Sequence, residues 1–257
     1  MIFMNKEQET LSFDIKSLSV PVSILLVGVM VSLALFFGLK GKDSSGQVAG
    51  EVAGNLPSAP QQAEPETAKV SIDDDAIMGD KSKATVAIVG FSDYECPFCN
   101  QFRTQALGQI KKDYIDTGKA IFVFRDLPLP FHNPAAEREA MAVECAREQG
   151  GDQAYYQYHD LVFETTPGNG GGIDIAGLGK LAADIGLDSS KLKSCLIGEK
   201  YKDEVAKDLS DAANAGINGT PAFVIGKLGK DGSVEGPIVV GAQPYESFKV
   251  IIDQQLE

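Results

Sequence analysis

An apolar run that ends in a pair of thiols constrains this chain most. Thr85-Val86-Ala87-Ile88-Val89-Gly90-Phe91 is followed, after a short polar stretch, by Cys96-Pro97-Phe98-Cys99. The run is β-branched and apolar, whereas Asn100 to Tyr114 carries Phe102, Leu107 and Ile110 among polar residues. These patterns predict a buried strand, a short turn and a helix. At such a junction Cys96 lies beside helix amide hydrogens that nothing else satisfies, and their partial positive charge favours thiolate over thiol. Cys99 falls one turn further in, on the same helical side, where it can attack a mixed disulfide formed at Cys96. Pro97 suits the first helical turn, where its missing N–H is not needed. The reading requires the Cys96 sulfur to be exposed at the helix mouth with Cys99 behind it.

The 257 residues, 44% of them hydrophobic, suffice for one folded domain once an atypical N-terminal part is set aside. A formal charge of -13, without any basic stripe, argues against a nucleic-acid binder. Val20 to Leu39 is uncharged, apolar and long enough for a helix that crosses a bilayer. It reads as an uncleaved signal-anchor in preference to a cleaved signal peptide, because no convincing small-residue cleavage site follows it, and a buried core helix is the weakest alternative. From Gly41 to about Lys69 the composition shifts to Gly, Ser, Ala, Pro, Gln and Glu, a flexible tether with a root-mean-square reach of roughly 30 Å. The expected organisation is an N-terminal cytoplasmic segment over 1–19, a transmembrane signal-anchor over 20–39, a flexible linker over 40–69 and a folded domain over 70–257.

Within the folded part, Val70 to Ile72 suits a short edge strand, and Ala120 to Arg125 a second buried strand. Asn133-Pro134 opens a helix from about Ala135 to Glu148, which Gly150-Gly151 ends. Asp152 is placed to cap a helix that runs to about Phe163. Thr166 to Gly172 is a glycine-dense loop. Helices follow at Ile175 to Ile185, Ser189 to Leu196 and Lys200 to Ala215, stopped by Gly186 and Gly216. Strands at Ala222 to Ile225 and Pro237 to Val240, a turn at Lys230-Asp231-Gly232 and a helix from Tyr245 to Leu256 complete the order. A layered α/β sheet with a helical insertion satisfies it.

Four segments together resemble the DsbA-like branch of the thioredoxin superfamily. They are Phe91-Ser92-Asp93-Tyr94-Glu95-Cys96-Pro97-Phe98-Cys99, Arg125-Asp126-Leu127-Pro128-Leu129 with His132, Tyr158-His159-Asp160-Leu161-Val162-Phe163, and Gly219-Thr220-Pro221-Ala222-Phe223-Val224. The likeness runs from Val70 to the C-terminus. It implies a thioredoxin fold interrupted by a helical domain near 134–198, and a thiol-disulfide oxidoreductase that needs no cofactor beyond its own cysteines. It further implies a cis Thr220-Pro221 bond facing the sulfurs, with the Thr220 backbone free for an extended substrate peptide. Without the resemblance, an ordinary trans bond at a strand start is the expectation. Substrates would be cysteine-containing exported polypeptides, reoxidation falling to a membrane partner of the DsbB or vitamin K epoxide reductase type.

In this reading Cys96 is the nucleophile, Cys99 its resolving partner, and Pro97 and Phe98 their neighbours. Cys145 and Cys195 are expected to form a structural disulfide, favoured by an even cysteine count and an extracytoplasmic location; this would set the N-terminus inside and the domain outside. The alternatives are two buried free thiols, or a zinc site closed by all four cysteines. No metal ligand is assigned. Gly90 stands where many relatives carry a buried acid that deprotonates the resolving thiol; Asp93 or Glu95 could move that proton, or be solvated turn residues, the reading preferred here. His132 reads as a capping or packing residue, His159 as core, and Tyr155, Tyr156 and Tyr158 as packing. The rival functions are a reductase or isomerase using the same pair, and a tethered metal-binding or interaction module.

Overall fold

The computed structural model describes residues 66–257. The expected membrane span and most of the tether lie outside them. Among the described residues no helix is long and apolar enough to cross a membrane.

Six strands form one sheet in the order β1-β6-β5-β3-β4-β2: β1 (Thr67–Ser71), β2 (Ile77–Met78), β3 (Val86–Ser92), β4 (Ala120–Asp126), β5 (Ala222–Leu228) and β6 (Ser233–Val240). The pair β3 and β4 is parallel and every other pair antiparallel. β3 and β4 are buried at every position, as apolar runs covered on both faces should be. Their side chains alternate: Ile88, Phe122 and Phe124 enter one core, while Ala87, Val89, Phe91 and Val123 enter the other. The folded part begins earlier than expected, because Thr67, Ala68 and Lys69 pair with Pro237, Gly236 and Glu235 of β6. Their polar composition hid this: an edge strand alternates exposed and covered residues and needs little apolar content. The two-residue β2 was not expected either.

The segment after Cys96 is helical as anticipated: α1 (Pro97–Phe102) and α2 (Gly108–Ile110) are joined and followed by π-helical turns at Arg103–Leu107 and Lys111–Ile115. The long α3 (Ala135–Thr165) breaks its helical geometry at Gly150 and Gly151, where two helices were expected. Gly151 sits at φ 67°, a region open to glycine and strained for other residues. Asp152 does not cap the second half. Its carboxylate instead accepts from the Ile77 N–H at 3.0 Å and from Arg147, tying α3 to β2. α4 (Ile175–Asp184) and α5 (Ser189–Ile197) complete the insertion, each with an aspartate cap, Asp174 and Asp188. α6 (Lys202–Asn214) returns to the second core through Leu209 and Ala212, and α7 (Tyr245–Leu256) to the first through Phe248 and Ile252.

Cys145 on α3 and Cys195 on α5 are joined in a disulfide, with Cα atoms 6.0 Å apart and 50 residues between them in sequence. A loop of this length contributes on the order of 2–5 kcal/mol. Both sulfurs are consumed, so a zinc site built from all four cysteines is excluded.

Candidate active site

β3 delivers the chain to Ser92, and the turn Asp93-Tyr94-Glu95 sets Cys96 at the N-cap of α1, with Pro97 in the first turn. Cys96 has extended backbone angles, and its carbonyl accepts from the amides of Cys99 (3.1 Å) and Asn100 (3.2 Å). This is the strand-to-helix junction expected from sequence. Thr220-Pro221 is a cis bond, as the resemblance implied, and it abuts the pair: the Cys96 thiol donates to the Thr220 carbonyl at 3.6 Å. That carbonyl is therefore engaged while Cys96 is a thiol.

Cys96 is not openly exposed: it keeps 6% of its surface, because the Thr220-Pro221 loop packs against it. Cys99 is deeper still at 1%. Phe98 projects beside the pair, 61% exposed.

The two thiols are electrostatically distinct. The Cys96 pKa is lowered to about 6, first by a hydrogen bond from the Cys99 thiol, then by Thr220 and by the N–H groups of Cys99 and Phe98, with burial opposing. The helix amides thus contribute, but the neighbouring thiol contributes more. Cys99 is pushed well up, chiefly by burial. One sulfur is a ready nucleophile and leaving group and the other holds its proton.

Asp93 and Glu95 are not solvated turn residues. They are 1% and 0% exposed: the glycine-dense loop after α3 folds over Glu95, and Leu129 and His132 meet the Asp93 carboxylate. The Glu95 carboxylate accepts from the Thr166 hydroxyl and the Gly172 N–H, and its backbone carbonyl accepts from the Asn169 N–H at 2.8 Å. Asp93 accepts from the N–H groups of Glu95 (2.7 Å) and Leu129 (2.8 Å), and its Oδ2 lies 2.8 Å from His132 Nδ1. The packing reading of His132 therefore missed a buried polar partner. Glu139, not singled out from the sequence, is fully buried next to Glu95, and its pKa is raised to about 8 by burial and by Glu95. His159 sits in the core against Tyr94, Phe124 and Phe163, with its pKa lowered by burial. Tyr155 and Tyr158 are buried, and the Tyr156 and Tyr158 hydroxyls donate to backbone carbonyls, as packing residues do.

At Gly90 an added Cβ would meet the Phe223 and Phe122 rings at 3.0 and 3.1 Å. Gly90 and Cys99 line one small cavity with Phe102, Phe122, Phe124 and Phe223, and no carboxylate faces it.

A family model described as thioredoxin matches residues 72–254. The chain is 28% identical over 189 residues to disulfide bond formation protein D of Bacillus subtilis, covering 73% of this chain and 79% of that one. It is also 30% identical over 160 residues to the Na(+)/H(+) antiporter NhaA 3 of Salinispora tropica, a match to 61% of this chain but only 22% of the antiporter. The crystal structure of oxidised BdbD from Bacillus subtilis superposes with a TM-score of 0.65 at 25% identity, over 75% of this chain and 98% of that one. A sheet, a helical insertion, a thiol pair at a helix start and a cis-proline beside it thus agree with the sequence comparisons, and the chain belongs to the DsbA-like thiol-disulfide oxidoreductases of the thioredoxin family.

Proposed function

We propose that the chain introduces disulfides into exported, cysteine-containing polypeptides on the extracytoplasmic side of a membrane, held there by the apolar segment Val20 to Leu39. The observation that carries this reading is the divergence of the two thiols, with Cys96 lowered to about 6 and Cys99 raised. A substrate thiolate attacks the Cys96 sulfur of the oxidised pair. The Cys96–Cys99 bond breaks, and its electrons leave with Cys99. A second substrate thiolate then attacks the substrate sulfur of the mixed disulfide and displaces Cys96. Two substrate thiols lose two electrons and the protein becomes a dithiol. Because the leaving thiol with the lower pKa departs faster, the geometry favours release of oxidised substrate. A stabilised Cys96 thiolate also makes the dithiol the more comfortable state, hence the disulfide a better oxidant.

The Cys145–Cys195 disulfide supports an oxidising compartment. The name of the Bacillus subtilis relative, a disulfide bond formation protein, supports the oxidising direction. Reoxidation is assigned to a membrane partner of the DsbB or vitamin K epoxide reductase type. The test incubates the oxidised full-length chain with a reduced, unfolded protein whose native state contains disulfides. Native disulfides should appear without added oxidant, one for each Cys96–Cys99 pair consumed. Failure to form any, with shuffling or reduction of preformed bonds instead, would make the protein an isomerase or reductase.

Phe98 bears on the strength of the oxidant. A phenyl ring donates no hydrogen bond to the Cys96 thiolate, whereas an imidazole can. Phe98→His is expected to raise the reduction potential against glutathione by about 30–60 mV, the equivalent of one hydrogen bond to a charged group. Its exposed position lets the exchange occur without disturbing the core. An unchanged or lower potential would show that the ring's lack of a donor is immaterial.

A further inference from the structure

The negative charge that develops on Cys99 when its disulfide is attacked needs a donor, and the small cavity lined by Gly90 and Cys99 is walled mainly by phenylalanine rings and holds no carboxylate. The backbone N–H of Asp93 points at Cys99 Sγ, 3.5 Å away. The carbonyl of the same residue accepts from the Cys96 N–H at 3.1 Å, so Asp93 touches both cysteines through its backbone. Its carboxylate holds this peptide in place: Oδ1 accepts from the Glu95 N–H, and Oδ2 from the Leu129 N–H and from His132 Nδ1. His132 belongs to the turn Pro130–His132, 39 residues away in sequence, and is 5% exposed, so the pairing is desolvated. The carboxylate already accepts from two amides, which makes Nδ1 the donor in the third contact.

We propose that His132 and Asp93 form a positioning pair for the resolving thiol: the His132–Asp93 hydrogen bond fixes the Asp93 amide so that it stabilises Cys99 as it leaves. In the step concerned, a thiolate bonds to Cys96 Sγ, the Cys96–Cys99 bond breaks, and the electron pair goes to Cys99 Sγ. The attacking sulfur is oxidised and the Cys99 sulfur reduced; solvent later supplies the proton. A preorganised N–H aimed at a developing anion lowers the barrier without reorganisation. The proposal needs thiol exchange at Cys96 but not the oxidising direction, so its test uses glutathione as the attacking thiol and stands apart from the test of disulfide formation.

The measurement is the rate at which excess reduced glutathione opens the Cys96–Cys99 disulfide of the full-length chain. The chain lacks tryptophan, so acid quenching and thiol alkylation serve as the readout. His132→Leu fills the buried volume without a donor and should slow opening about tenfold or more. His132→Asn can present an amide N–H near the Nδ1 position, and should retain most of the rate. Asp93→Asn sets an amide against its donors and should match His132→Leu, while the double variant should be no slower than either single one. Urea midpoints identify any variant that fails to fold, in which case the others carry the test. A folded His132→Leu or Asp93→Asn protein that opens at the parental rate would overturn the proposal. So would His132→Asn as slow as His132→Leu, or additive losses in the double variant.

Discussion

Cys96→Ala is expected to abolish disulfide exchange with protein thiols, whereas Cys99→Ala should leave a protein that captures substrates and cannot let them go. The asymmetry follows from the depth of the two sulfurs: Cys96 is the more accessible at 6% exposure, and Cys99 lies deeper at 1%. With Cys96 gone, the remaining thiol is buried and held protonated, so neither capture nor resolution proceeds. With Cys99 gone, Cys96 still exchanges with a mixed disulfide presented to it, and the resulting covalent complexes accumulate because nothing displaces them from within. Non-reducing gels of cells expressing each variant measure this. Covalent adducts with Cys96→Ala, or none with Cys99→Ala, would reverse the assignment of nucleophile and resolving thiol. The Cys99→Ala protein carries a second signature. Its Cys96 loses the foremost cause of its lowered pKa, so the thiolate absorbance midpoint should rise from about 6 toward the ordinary thiol range. The sign for stability follows too. In the reduced parent, a folded pKa below the ordinary 9.0 stabilises the fold fully above that value. The gain is lost as pH falls through about 6, a dependence the oxidised form lacks at this residue.

The thiol pair and the elements around it were legible because each is a local pattern. A β-branched run, Cys-Pro-Phe-Cys and a helical period sit within thirty residues, and Gly186 and Gly216 adopt the positive φ their helix stops require. The cis geometry at Pro221 was not readable from chemistry alone; the resemblance supplied it, and the structure agrees. What escaped is polar and distant. Asp93 and Glu95 stand in a turn, where acids are usually solvated, and only the fold shows that the loop from Thr166 to Gly172 covers Glu95 while Leu129 and His132 close on Asp93. In sequence that loop is only a glycine-dense connection, yet Gly172 is at φ 67°, and an added Cβ would meet Ala135 at 2.6 Å. Its glycines allow backbone amides to approach a buried carboxylate. His132 and Arg125 were hidden for the same reason, since a side chain's partner across the fold leaves no periodicity in the sequence.

Arg125 shows what such a hidden contact contributes, and its loss should be the largest stability change available outside the thiols. It ends β4 beside Asp126 and is 1% exposed, a guanidinium in the interior. One nitrogen meets Asp75 Oδ2 at 2.6 Å and the Ser71 carbonyl at 3.0 Å; another meets Asp208 Oδ1 at 2.9 Å and also Asp211. Asp208 in turn accepts from the Asp126 N–H at 2.8 Å. The hub thus ties the segment after β1, the end of β4 and α6 into one unit behind the active-site turn. Burial raises Asp75 to about 7 and Asp208 to about 8, with Arg125 opposing the shift in both. Arg125→Met keeps the aliphatic volume and strands these acids, a change expected to cost about 3–5 kcal/mol. The urea midpoint reads it. A carboxyl whose folded pKa is raised favours the fold below its ordinary 3.8 and loses that advantage as pH rises through 7 to 8. The deficit of Arg125→Met should therefore be smaller at acidic pH, where the stranded acids are neutral, and largest above neutrality. Adding Asp208→Asn to Arg125→Met should recover part of the loss by removing one unpaired charge. A deficit independent of pH and untouched by Asp208→Asn would mean that Arg125 stabilises the fold through packing of its stem alone, and that the carboxylates around it are indifferent to its charge.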